Sequence, residues 1–190
     1  MLSPAQLART RLSRYGDAAS PLPVSPLSVA SLALRTALSQ ARDARPLLLG
    51  GDHSVSWPAV DALLPEAGAP HSDAAVLHFD AHTDLMPERL GVRYCFATWA
   101  YHANERLGRG QRLVQVGIRA SGRDRAHWEG ALGVRQYWMA ELRERGVAAV
   151  ADEIVLELRA RGVRRLYISN DIDGTDPGFG AATGTAEPGG

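Results

Sequence analysis

The segment from residue 74 to residue 84 constrains the fold of this chain more than any other. It begins with a short apolar run, Ala74-Ala75-Val76-Leu77, and Asp80, His82 and Asp84 then follow at every second position. Side chains at a period of two share one face of an extended chain, so these three are expected to converge. A single Asp-x-His usually marks a turn or a cap, but two carboxylates crowded beside an imidazole repel each other unless a cation compensates their charge. The segment therefore predicts a strand that ends in a metal site.

Short apolar runs alternate with stretches of helical periodicity along the chain. Strands are predicted at residues 46–49, 74–80, 113–118 and 166–169. Helices are predicted at residues 26–42, 58–64, 94–107 and 138–160, the last one broken at Gly146, with a weaker helix from Ser3 to just before Gly16. Continuous apolar runs are typical of strands that are buried on both faces. Strands that alternate with helices predict an α/β fold with a parallel sheet.

Two further polar clusters also follow the ends of predicted strands. His53 follows the run that ends at residue 49, while Asp171 and Asp173 follow the last strand with the same period of two. Ligands of parallel α/β sheets bind beyond the carboxyl ends of the strands, so all these side chains are expected to meet there. Taken alone, His53 is also explained as a histidine with satisfied hydrogen bonds in a turn that ends a strand.

The combined set of candidate metal ligands contains two imidazoles and four carboxylates: His53, Asp80, His82, Asp84, Asp171 and Asp173. One dication would leave about two negative charges uncompensated, whereas two dications balance four carboxylates. Oxygen ligands with some nitrogen and no thiolate favour Mn²⁺ over Zn²⁺ and leave other first-row dications open, because metal selectivity follows ligand type and availability. Paired metals of this kind activate water, which predicts a hydrolase. A calcium-binding EF-hand at Asp171 is rejected, because Asp176 and Ala182 occupy positions that require Gly and Glu.

Composition and charge narrow the class of protein. A length of 190 residues predicts one domain, and 21 basic residues balance 21 acidic ones, so nucleic acid is not an expected partner. No apolar run approaches the roughly 18 residues of a membrane span. The only cysteine is Cys95, which excludes an internal disulfide and favours a reducing compartment. We therefore expect a cytoplasmic protein without membrane contact.

Three sequence signatures carry a resemblance to a known family. They are Gly51-Asp52-His53-Ser54, Asp80-Ala81-His82-Thr83-Asp84, and Ser169-x-Asp171-Ile172-Asp173-Gly174-Thr175-Asp176-Pro177 with Thr183-Gly184-Thr185 and Pro188-Gly189-Gly190. In order and approximate spacing they resemble the signatures of the ureohydrolase family, which includes arginase, agmatinase and formiminoglutamase. The resemblance extends over residues 15–190, with Tyr15-Gly16-Asp17 and Gly117-Ile118-Arg119 as weaker supports.

The resemblance implies a three-layer α/β/α sandwich around a mainly parallel sheet, and a homo-oligomer. It also implies a binuclear manganese centre in which Asp80, Asp84 and Asp171 bind both ions. His53 would complete one metal site, and His82 with Asp173 the other. Water activated there would attack a guanidinium or formimidoyl carbon and release urea or formamide.

The chain departs from the family pattern at several places. The proton-shuttling histidine of relatives falls on Cys95 or Phe96, so His102 is the candidate replacement, with side-chain packing as its alternative. Ala181-Ala182 replaces the usual Pro-Gly. The family's first strand and last strands lie outside this sequence, which we therefore expect to be a fragment with exposed sheet edges.

The expected function is that of a manganese-dependent hydrolase acting on a small guanidino compound. Agmatine is favoured over arginine, because no feature diagnostic of amino-acid recognition can be assigned. The segment 119–125 could capture a substrate carboxylate through arginine, or it could be a solvated polar loop. The open alternatives for function are a formiminoglutamase-type hydrolase, a catalytically silent metal-binding family member, and a binuclear amide or phosphate hydrolase.

Overall fold

A computed structural model describes residues 26–40, 45–64 and 73–190 of the chain. The chain divides into two compact units: residues 1–66 with 85–102, and residues 67–84 with 103–190. The helix predicted between Ser3 and Gly16 and the supporting motif Tyr15-Gly16-Asp17 lie outside the described residues, and the single domain stays a prediction. No helix in the three described ranges is long and apolar enough to cross a membrane.

The described residues of the first unit contain two complete α-helices, α1 at Pro26–Gln40 and α2 at Ser56–Leu63. A short 3₁₀ helix, His53–Val55, precedes α2. Arg35 of α1 connects the two helices, because its guanidinium lies 2.9 Å from a carboxylate oxygen of Asp61 and 2.6 Å from the Asp61 carbonyl oxygen. The predicted helices at residues 26–42 and 58–64 are thus confirmed to within a few residues.

The strand predicted at residues 46–49 is wrong. The segment forms no strand, and its Leu47 and Leu49 side chains are 84% and 88% exposed. An apolar run becomes a strand only when a neighbouring strand satisfies its backbone hydrogen bonds, and no described strand pairs with this run.

The second unit is built on a parallel sheet of four strands in the order β3-β2-β1-β4. The strands are β1 at Ala74–Phe79, β2 at Leu113–Ile118, β3 at Arg135–Trp138 and β4 at Arg165–Asn170. Strands β1, β2 and β4 confirm the predictions and the α/β class. The sequence missed β3, whose Arg-Gln-Tyr-Trp composition lacks an apolar run, because its strand conformation is imposed by pairing with β2.

Four further α-helices follow the first two along the described chain. They are α3 at Trp99–Arg106, α4 at Arg125–Leu132, α5 at Met139–Arg145 and α6 at Val147–Ala160. Helix α3 is shorter than predicted, and α4 was not predicted. The break between α5 and α6 falls at Gly146, as expected, where φ is 83°.

Helices α5 and α6 cover one face of the sheet. The shared core combines alternate strand residues with apolar residues of the two helices: Ala75, Val114, Val116 and Tyr137 with Leu142, Val150, Ile154 and Leu158. Burial of each large aliphatic side chain contributes about 1.5–3 kcal/mol. The opposite face of β1 and its neighbours carries the polar residues His78, Gln115 and Gln136, all fully buried. Asp80 continues this second face, so the polar side of the sheet leads to the candidate site.

Candidate metal centre

Strands β1 and β4 end side by side and bring two aspartate-bearing segments together. Asp80 is the first residue after β1, and Asp171 is the first residue after β4. The Asp171 N–H donates a 2.9 Å hydrogen bond to the carbonyl oxygen of Phe79, which joins the two strand ends. The chain then forms a 3₁₀ helix, Ile172–Gly174, in which Asp173 is 3% exposed.

Glycine allows this close approach to Asp80 from two sides. A Cβ atom on Gly174 would lie 3.3 Å from the Asp80 backbone nitrogen, tighter than most real contacts. Gly117 has a φ of 93°, a conformation that L side chains rarely adopt, and a Cβ there would lie 3.4 Å from the Asp80 carbonyl oxygen. Glycine at these two positions thus lets both segments pass close to the Asp80 backbone.

Three of the predicted ligands form one compact group, Asp80, His82 and Asp173. One ligand atom from each lies within 4.8 Å of the others. His82 Nδ1 is 3.1 Å from Asp173 Oδ2 and 3.4 Å from Asp80 Oδ1. Two backbone N–H groups support the carboxylates: His82 donates to Asp80 at 2.6 Å, and Ala81 donates to Asp173 at 3.3 Å. Side chains that lie 93 positions apart in the sequence are therefore brought to one point.

A second group shares Asp80 with the first. One ligand atom each of His78, Asp80 and Asp84 lies within 4.8 Å of the other two. Asp84 has a φ of 51°, in the left-handed region, which costs a non-glycine residue roughly 1–2 kcal/mol. Strand β1 ends at Phe79, so the extended chain that the period of two assumed does not reach His82 and Asp84. The loop 80–84, with its own hydrogen bonds, produces the convergence.

The electrostatics of the two groups suit a cation. Hydrogen bonds to Asp173 and then to Asp80 raise the pKa of His82 to about 10, although partial burial opposes this rise. The carboxylates of Asp80, Asp84 and Asp173 together carry three negative charges, and one imidazolium neutralises only one of them. Buried negative charge of this kind is stable when a bound cation compensates it, and the donor set of carboxylate oxygen and imidazole nitrogen fits a first-row dication.

The remaining two predicted ligands have structural surroundings of their own. Asp171 caps the 3₁₀ helix, because one of its carboxylate oxygens accepts a 3.0 Å hydrogen bond from the Asp173 N–H. His53 belongs to the first unit, where it is 8% exposed and its ring lies 4.8 Å from that of Trp99. Asp52 caps the turn that begins at His53. The assignment of Asp171 and His53 as metal ligands stays a prediction.

His102, the candidate proton shuttle, is buried within the first unit. Its Nε2 lies 2.8 Å from the Arg93 carbonyl oxygen and 3.1 Å from the Pro87 carbonyl oxygen. Carbonyl oxygens only accept, so this nitrogen carries a proton and donates. The ring also lies 4.6 Å from that of Tyr94 and 5.9 Å from that of Trp57. This geometry favours the packing alternative, and the catalytic role stays a prediction.

Two arginines of the segment 119–125, Arg119 and Arg125, have partners that explain them structurally. The Arg119 guanidinium donates to backbone carbonyl oxygens, among them those of Asp173 at 2.7 Å and Glu187 at 2.7 Å. Arg125 pairs with Glu141 at 2.6 Å, and Asp124 caps helix α4. These contacts support a structural role of the segment rather than capture of a substrate carboxylate.

Three residues that support the ligands were not predicted from the sequence. Thr185 Oγ1 donates a 2.7 Å hydrogen bond to Asp173 Oδ2, and a Glu187 carboxylate oxygen lies 3.6 Å from His82 Nε2. His78 Nε2 lies 2.7 Å from Asp80 Oδ2. The period of two that linked Asp80 to His82 extends back to His78, so this signal could have identified it.

Comparisons with known proteins give a consistent picture. A sequence profile described as the arginase family matches residues 2–190. The N(1)-aminopropylagmatine ureohydrolase of Thermus thermophilus is 42% identical over 142 residues, which cover 75% of this chain and 44% of that protein. The solved structure of formimidoylglutamase from Bacillus subtilis has a TM-score of 0.76 at 26% identity. The match covers 92% of this chain and 53% of the formimidoylglutamase chain. The solved structure of proclavaminate amidinohydrolase from Streptomyces clavuligerus has a TM-score of 0.66 at 35% identity. That match covers 85% of this chain and 53% of the other.

These matches confirm the predicted arginase-like α/β fold and the resemblance to ureohydrolases. The chain spans about two fifths to one half of the length of these relatives.

Proposed function

Because the chain belongs to the arginase family, we propose that it carries the metal-binding part of a hydrolase that cleaves a C–N bond of a small guanidino compound, releasing urea and an amine. The observation that carries the proposal is the convergence of Asp80, His82 and Asp173 at the carboxyl end of the sheet. This is where parallel α/β sheets bind their ligands.

We propose two Mn²⁺ ions as the metals of this site. The four carboxylates of the proposed ligand set balance two dications, whereas one dication would leave about two negative charges uncompensated. The residues that would hold them are those of the family signatures: His53, Asp80, His82, Asp84, Asp171 and Asp173. When bound, such a metal pair supplies water activated for attack and polarises the substrate carbon.

The residues around the ligands fix the site before any substrate binds. Thr185 holds one oxygen of Asp173, and the Arg119 guanidinium holds the Asp173 backbone. The Arg119 N–H also donates to the Ala81 carbonyl oxygen at 3.0 Å, so one residue anchors both ligand-bearing segments. Side chains that are already held in place lose little conformational entropy when they bind the metal ions. The metal site therefore keeps a fixed geometry, which favours catalysis.

Agmatine is the proposed substrate in preference to arginine. Arginine carries an α-carboxylate that its enzyme must recognise, whereas agmatine has none. Arg119 and Arg125, which follow the carboxyl end of β2, are engaged with backbone carbonyl oxygens and with Glu141. The Thermus thermophilus relative is named for a substituted agmatine, which agrees with this preference.

The test is urea release by the Mn²⁺-loaded chain from agmatine and from arginine, together with the metal content of the protein. Asp173→Ala is expected to abolish both bound metal and urea release, because it removes a buried ligand. Asp152→Ala, an exposed substitution on α6, is the matched control and is expected to behave like the wild type. Urea release that persists in Asp173→Ala, or release of formamide from a formimidoyl substrate instead of urea, would overturn the proposal.

A further inference from the structure

A row of buried polar side chains crosses three adjacent strands and ends at Asp80. His78 on β1 pairs in register with Gln115 on β2, which pairs with Gln136 on β3. All three are fully buried. A buried polar group without a hydrogen bond costs roughly 1–3 kcal/mol, so three in a row require a connected network.

The direction of donation along this row is fixed at Trp138. The indole Nε1 can only donate, and it lies 2.9 Å from Gln136 Oε1. The Gln136 amide nitrogen must then face Gln115, where it donates to Oε1 at 2.8 Å.

A second contact fixes Gln115 independently. Its Nε2 lies 2.6 Å from the carbonyl oxygen of Thr83, which can only accept. The same nitrogen lies 2.9 Å from His78 Nδ1, so it donates there as well and Nδ1 accepts. Two separate arguments thus give the same orientation of the Gln115 amide.

The tautomer of His78 follows from this orientation. With Nδ1 as an acceptor, the ring proton is on Nε2, which donates to Asp80 Oδ2 at 2.7 Å. The other oxygen of the carboxylate, Oδ1, accepts from the His82 N–H and lies 3.4 Å from His82 Nδ1. The two oxygens of Asp80 therefore have different partners, one towards the interior of the sheet and one towards the group with His82 and Asp173.

We propose that His78 is a positioning residue that orients the Asp80 carboxylate through Nε2, and that the chain Trp138–Gln136–Gln115 sets its tautomer; His78 is not itself a metal ligand. The inference builds on the proposed metal centre. Partners of this kind behind a metal ligand typically change metal affinity about 10- to 100-fold when they are removed.

The test uses the whole chain and two substitutions of His78. Mn²⁺ is titrated into metal-free protein by calorimetry. His78→Leu removes the donor and is expected to weaken Mn²⁺ binding about 10- to 100-fold. His78→Gln can still present an N–H to Asp80 and is expected to recover most of that loss. His127→Gln, an exposed histidine on α4, is the matched control and should bind Mn²⁺ like the wild type.

NMR of the histidine ring nitrogens in the metal-free wild type reports which nitrogen of His78 carries the proton. This measurement requires no enzymatic turnover, and it does not depend on whether a variant folds. The proposal expects His78 in the neutral Nε2–H form. An Nδ1–H form, equal loss of Mn²⁺ binding in the Leu and Gln variants, or wild-type binding in His78→Leu would each overturn it. If the wild type binds Mn²⁺ but releases no urea, the proposed function fails while these readouts still decide the role of His78.

Discussion

The guanidinium of Arg119 donates a 2.7 Å hydrogen bond to the backbone carbonyl oxygen of Asp173. Its other nitrogen atoms reach the carbonyl oxygens of Gly174 and Pro188 at 3.2 Å and 3.1 Å. Arg119 is thus the cross-link between the end of β2, the 3₁₀ helix that carries Asp173, and the segment near residue 188. Asp173 is identified as a ligand from the sequence, whereas its anchor at Arg119 is visible only in the folded structure.

Arg119→Ala is expected to lower the free energy of unfolding by about 2–3 kcal/mol, because several carbonyl oxygens lose a charged donor together. The Asp173 segment also loses its anchor, so Mn²⁺ affinity should fall. Urea denaturation and metal titration measure the two effects. Arg123→Ala, at an exposed position of the same loop, is the control. Equal stability of the two variants would contradict the structural role assigned to Arg119.

Asp171→Asn separates the capping role of this residue from its predicted ligand role. Asparagine is as good an N-cap as aspartate, so the unfolding free energy of the metal-free chain should change by less than about 0.5 kcal/mol. The negative charge is lost, so the content of bound Mn²⁺ is expected to fall below that of the wild type. Elemental analysis after desalting measures it. Unchanged metal content would remove Asp171 from the ligand set.

Arg125→Ala tests the structural explanation of the segment 119–125. The ion pair between Arg125 and Glu141 is partly exposed, so its loss should cost no more than about 1 kcal/mol of stability. A structural role leaves the KM for agmatine and for arginine unchanged. An increase of KM confined to arginine would instead show that the segment captures a substrate carboxylate.

Asp176 predicts a specific dependence of stability on pH. Backbone hydrogen bonds from Gly189 and Gly178 lower the pKa of this carboxylate from its ordinary value of 3.8. Its contribution is therefore fully present above pH 3.8 and is lost as the pH falls through the lower folded-state pKa. Urea denaturation between about pH 5 and pH 2.5 should show the wild type and Asp176→Ala converging in stability at the acid end. A difference that stays constant over this range would contradict the prediction.

The sequence could predict strands β1, β2 and β4 because their hydrophobic character is local, and the break at Gly146 because glycine tolerates a positive φ. It could not predict β3, since Arg135 and Gln136 become strand residues only by pairing with β2. The sequence also predicted a strand that does not form, at residues 46–49, because the apolar run has no partner strand among the described residues.

At the site, the sequence by itself determined which residue types are available and roughly where along the chain they occur. Asp80, His82 and Asp173 are identified by their spacing and their positions after apolar runs. Only the tertiary structure decided how they meet, because the register of β1 with β4 places Phe79 beside Asn170 and so brings Asp173 to Asp80. Only the structure also placed Gln115 2.9 Å from His78 Nδ1, the contact from which donation by His78 to Asp80 is inferred, since contacts between neighbouring strands are not encoded in any single stretch of sequence.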